Sequence, residues 1–163
     1  MLTGARGGTA MTSLERYMRI KPSLRSEWFL GWSRVWVRKL VQMRGGVQDL
    51  MVTTGRRKNH DKVPRSKRLC KLCDMGVVED EEHFWLRCEH WSKQRRELWH
   101  AALQVDAIAT RRAVWLSGPE RLDWMMQGGS YKTRWVLGRR MVAWMHERSK
   151  ITAGEKARAS QVT

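Results

Sequence analysis

Apolar residues recur at helical spacing over most of the chain, and the polar residues between them mark where each helix starts and stops. Ser26 and Glu27 open the clearest stretch. Trp28, Phe29, Trp32, Val35, Trp36, Leu40 and Met43 follow at steps of mostly three or four, one face of a helix that Gly45-Gly46 ends. Ahead of it, Thr12 or Ser13 caps a short helix carrying Leu14, Tyr17, Met18 and Ile20, which Pro22 stops. Downstream, Trp91 to about Gln104 reads as a helix with Leu98 and Leu103 inward, and Arg111 to Leu116 as a short apolar-basic piece. Ser117-Gly118-Pro119 starts a further helix that Gly128-Gly129 ends. Tyr131 to Arg148 is the last, with Trp135, Leu137, Met141, Val142, Trp144 and Met145 as its apolar set.

The middle of the chain breaks this rhythm. Val47, Leu50 and Met51 suit a helical turn, Val52-Thr53-Thr54 an extended one, and Gly55 through Arg68 forms a basic loop holding Pro64. All three cysteines of the chain follow within a few turns of one another: Cys70 and Cys73 as a CxxC, then His83, then Cys88. Thiolates and imidazole at this spacing suit tetrahedral zinc, with the CxxC gripping one face of the ion and the later pair closing the other. A redox CxxC would need an apolar strand before it, and Asp61 to Arg68 supplies none. Three cysteines cannot pair evenly, and no secretory signal is present. His90 is a substitute fourth ligand; His83 is preferred because it leaves the longer closing loop.

Gly76 permits the turn that a metal loop needs, and Val77-Val78 suits a very short strand. The acids Glu79, Asp80, Glu81 and Glu82 suit the positive end of a helix starting near Asp80. On an unbroken helix His83 and Cys88 point ~140° apart, so the helix must end or bend near Arg87 for both to reach one ion. The expected fold is therefore mainly α, with a small zinc-stabilised CCHC element between helices and a C-terminal helical pair. Its expected parts are a flexible N-terminus (1–10), a zinc-binding domain (11–105), a helical extension (106–150) and a flexible tail (151–163).

Charge changes the picture of partners. The chain has 163 residues and a formal net charge of +16, and the surplus flanks the cysteine region, which is itself acidic. Such a balance attracts polyanions, and each neutralised phosphate releases counterions. Nucleic acid is the leading partner, single-stranded RNA or DNA ahead of duplex. Arg56, Arg57, Lys58, Arg65, Lys67 and Arg68 share the loop leading into the site and are its candidate phosphate contacts. The same clusters fit a nuclear import signal or a solvated loop equally, placing the chain in nucleus or cytoplasm. No apolar run near 18 residues and no lipidation motif points to a membrane. The ten tryptophans read first as core filler at helical spacing and second as base-stacking platforms beside arginines. Phe84 and Trp85, next to a ligand, are the candidates for stacking on a base.

The run from about Tyr17 to Leu98 resembles the zinc-binding segment at the C-terminus of LINE-type, non-LTR retrotransposon reverse transcriptases. The resemblance lies in Leu40 to Gly45, Gly55-Arg56, Arg68-Leu69-Cys70-Lys71-Leu72-Cys73, Glu79 through Cys88 as EDEEHFWLRC, and Arg95 to Leu98. Family members often have proline after the last cysteine, where Glu89 stands here. No Tyr-x-Asp-Asp occurs and no endonuclease domain fits, so no enzyme is expected. The resemblance implies a detached fragment that holds template RNA or target DNA. A protein-interaction module with structural zinc, or a transposon remnant without function, are the alternatives.

Overall fold

The computed structural model describes residues 29, 31–44, 50–51, 53 and 63–161, with side chains as far as 154. The helix expected over 12–22, the glycine pair 45–46 and Arg56, Arg57 and Lys58 lie outside the described residues. Among the described residues the fold is mainly helical: α1 (Arg34–Arg44), α2 (Ser92–Val105), α3 (Ala107–Val114), α4 (Gly118–Gln127) and α5 (Tyr131–Gln161). The only extended pairing there is an antiparallel bridge between Leu69 and Val78, the short strand expected at Val77-Val78. None of these helices is long and apolar enough to cross a membrane.

Local chemistry sets most boundaries. Ser117 and Glu120 form a reciprocal capping box at the start of α4, with Pro119 in its first turn. Gly128, at φ +58, ends that helix in the left-handed region glycine tolerates. The Asp106 side chain accepts from the Ala109 N–H and caps α3, which starts ahead of the expected Arg111. Removing the Ser117 hydroxyl (Ser117→Ala) is expected to cost about 1 kcal/mol. A thermal melt of the full chain should show this as a loss of roughly 2–4 °C.

Three expectations need correction. Among the described residues the helix expected from Ser26 begins at Arg34, because the Trp32 N–H closes a turn onto the Phe29 carbonyl at 3.0 Å. Gly31 lies in that turn and lowers helix propensity there by about 1 kcal/mol. Leu103 points outward, while Ala102 is fully buried in its stead. Five residues past Leu98 is ~140° round the helix, and four is ~40°. The final helix runs past Arg148 to Gln161, since Lys150, Ala153, Glu155, Ala157 and Ala159 form helix well and no proline interrupts them.

Helix α5 is the centre of the molecule and packs against α1, α2 and α4. Leu137, Met141, Val142, Trp144 and Met145 face one core with Leu98, Leu122, Met125 and the aromatic residues around the cysteines. The helical extension therefore completes the hydrophobic core of the cysteine region. Arg44 at the end of α1 is buried, donates to the Met126 carbonyl at 3.0 Å and covers the Phe29 ring, so it ties α1 to α4.

Candidate metal centre

The cysteine region is built from a hairpin and a helical turn. The Cys70 N–H donates to the Val77 carbonyl at 2.8 Å and the Glu79 N–H to the Arg68 carbonyl at 2.9 Å, which folds the CxxC back against the segment that follows it. Gly76, at φ +62, makes the reversal possible. Asp80 then accepts the His83 N–H at 3.0 Å and starts the turn. From His83 to Arg87 the backbone widens into a π turn, in which the Cys88 N–H donates to the His83 carbonyl at 2.7 Å. That bond spans five residues instead of four, so Cys88 takes the place over His83 that a residue four on would take in a regular helix, and most of the ~140° divergence is removed. Cys88 itself leaves the helix at φ −56, ψ 122.

The result is a four-donor cluster. The ligand atoms of Cys70, Cys73, His83 and Cys88 lie within 4.8 Å of one another. The Cys70 and Cys88 sulfurs are 3.9 Å apart, and the Cys73 sulfur is 3.4 Å from His83 Nε2. A tetrahedral ion with metal–sulfur bonds of about 2.3 Å and metal–nitrogen bonds of about 2.0–2.1 Å sets those edges near 3.8 and 3.6 Å. A disulfide needs about 2.05 Å. The donor set thus fits a metal ion. His90 is exposed, with its ring edge-on to Trp91, so the fourth donor is His83.

Burial dictates the protonation of the cluster. It raises the Cys70 thiol and pushes Cys88 up to about 12, while it lowers His83. At neutral pH the imidazole is ready to bind, and both buried thiols must give up protons. Metal loading at pH 7 is therefore expected to release at least the protons of Cys70 and Cys88. These two thiols alone should make affinity rise with pH by about a hundred-fold per unit, which a weakly buffered titration with a pH dye measures.

Sequence reasoning names Arg95 only as part of the resemblance and missed its place at the site. Its Nη2 donates to the Cys88 carbonyl at 3.0 Å, and its Nη1 is buried with no hydrogen-bond partner. Burial lowers its pKa, and Cys88 acts in the opposite sense. A divalent ion held by three thiolates would leave one net negative charge, which this cation would offset. Its position seven residues past Cys88, two turns on, was the available signal.

The acids beside the site have internal partners. Glu79 is fully buried and takes both the Nε and Nη2 groups of Arg148 on α5, at 3.0 and 3.1 Å, as well as the Met51 N–H at 2.8 Å. Asp80 pairs with Arg65 at 3.1 Å, and Glu82 pairs with Arg87. Phe84 and Trp85, expected as stacking platforms, are 1% and 0% exposed, so neither can meet a base. Their rings lie 4.7 Å apart and pack with Trp91 and Trp144 behind the ligands, where the π turn directs them inward. Of the expected phosphate contacts, Arg65 and Lys67 are exposed on a 3-10 turn leading into the hairpin. Arg68 is half-buried and donates to the Val63 carbonyl at 2.8 Å.

Searches of protein-family models, curated proteins and solved structures find no match to this chain. The chemistry of the site therefore rests on its own geometry.

Proposed function

We propose that the chain is a zinc-stabilised nucleic-acid-binding module of the kind carried by LINE-type reverse transcriptases. The observation that carries this reading is the closed Cys3His cluster placed directly after a basic turn. Three thiolates and one imidazole are a preferred zinc set, and with all four positions filled by protein no site is left for a reactive water. The ion is accordingly assigned a structural role, and no catalysis is proposed. The net charge of +16 supplies the attraction to phosphate; Arg65 and Lys67 are exposed on the basic turn, Arg68 is half-buried beside them, and Arg56, Arg57 and Lys58 precede them in sequence.

Six phosphate contacts to a single strand predict that affinity falls a few hundred-fold, on the order of the −0.7 slope per contact, between 50 and 200 mM salt. Fluorescence anisotropy of the zinc-loaded chain with labelled single-stranded RNA and DNA measures this. No binding at 50 mM salt, or binding indifferent to salt, overturns the reading.

A second reading, a protein-interaction module, is favoured by one observation. Trp115 is 89% exposed beside the outward Ile108 and Val114 of α3. Binding carried by that patch would survive high salt.

A further inference from the structure

Three tryptophans meet on the face where α1 crosses α5. Trp32 and Trp36 are edge-on with centroids 5.7 Å apart, and Trp32 and Trp135 are edge-on at 6.4 Å. The Arg139 guanidinium lies 4.7 Å from the Trp135 centroid and 5.7 Å from that of Trp36. Around them runs an open groove, about 560 Å³ in its largest section, which His100 of α2 and Arg140 also line. Trp135 lines that section and two adjoining ones, Trp36 and Arg139 line two, and no carboxylate lines any of the three.

This face differs from the aromatic core behind the cysteines. Trp135 is 38% exposed, Trp32 and Trp36 are half-buried, and Arg139 and Arg140 are exposed. In a chain of net charge +16, an aromatic groove lined by Arg139 and by Arg140, which also meets Glu97 of α2 at 4.0 Å, is complementary to a polyanion with flat faces. Unpaired bases stack on indole rings and on guanidinium planes, and the phosphates beside them meet arginine. Duplex offers no such face, because its bases are stacked on one another. An acidic protein segment would match the charge but would offer no flat partner to the part of the Trp135 ring that stays exposed beside Arg139.

We propose that the Trp32–Trp36–Trp135 groove, with Arg139 and Arg140, binds the bases and backbone of single-stranded nucleic acid. The proposal rests on the nucleic-acid reading above and names a second contact region on α1 and α5, separate from the basic turn at residues 65–68. Stacking adds affinity that salt does not screen, so the two regions have distinguishable signatures.

The test uses the zinc-loaded full chain, a labelled twelve-nucleotide oligothymidylate and its abasic counterpart of equal charge, with anisotropy as readout. Trp135→Ala and Arg139→Ala are each expected to weaken oligothymidylate binding about ten-fold, as expected for the loss of one stacking platform. Trp135→Phe should restore most of the loss, and wild-type binding to the abasic strand should be weaker by a similar factor. Melting temperatures within about 2 °C of wild type would show that the variants fold. Wild-type binding that both alanine variants retain, or that the abasic strand matches, overturns the groove and leaves the basic-turn reading standing. No binding by wild type at low salt overturns both. Unchanged nucleic-acid binding together with variant-sensitive binding of an acidic peptide would assign the groove to protein instead.

Discussion

Replacing Cys88 by serine is expected to lower metal affinity by more than about a hundred-fold, beyond the loss that follows removal of an outer-shell partner. Cys88 closes the donor set at 3.9 Å from Cys70, and its backbone N–H holds the π turn that presents His83. The same substitution should raise amide exchange across residues 70–105, because Phe84 and Trp85 of this turn pack into the core with Trp91 and Trp144. Metal stoichiometry by colorimetric release, paired with hydrogen exchange, reads both effects. One ion per chain retained with wild-type affinity in the serine variant would rule out the assignment. Chelation of the wild-type chain should reproduce the exchange pattern, since ion binding and local folding are one equilibrium at such sites.

The second large effect belongs to the Glu79–Arg148 pair. Both side chains are almost wholly buried, 0% and 3% exposed, and two nitrogens of the guanidinium engage the carboxylate. Arg148→Ala leaves a carboxylate in the interior with only the Met51 N–H, and such a loss costs about 3–5 kcal/mol. For a chain of this size that is a fall of roughly 10 °C in the melting midpoint. Replacing both partners together, Glu79→Leu with Arg148→Met, should recover most of it, because the uncompensated charge is gone. A single variant that melts with wild type would show that the pair contributes nothing.

How much of this was legible beforehand depends on the distance over which each feature is decided. The capping box at Ser117, the stop at Gly128 and the reversal at Gly76 depend on residues within a turn of each other, and the chain announces them. The four donors are legible for the same reason, since ligand spacing is itself a local signature. Glu79 could not be separated from Asp80, Glu81 and Glu82 in the sequence, because its partner lies 69 positions away. The tryptophans divide along similar lines. Trp135 belongs to the apolar set expected for the last helix, yet it sits ~200° round α5 from Leu137 and ~180° from Trp144, and it is 38% exposed. Trp85 is different, since its inward direction follows from a backbone widening that no propensity encodes.

That widening also fixes what kind of change the site can absorb. The three residues after Phe84 contribute their number before their identity: with five steps from His83 to Cys88 the turn closes, and with four it reverts to an ordinary α turn. Deleting Leu86 would shorten the path by one step, carrying Trp85 and the new fourth donor to different azimuths at once. Substitution at Leu86 or Arg87 leaves the path length intact. Among variants of this segment, those that preserve length should hold metal across varied chemistry, while those one residue shorter or longer should lose it whatever they contain.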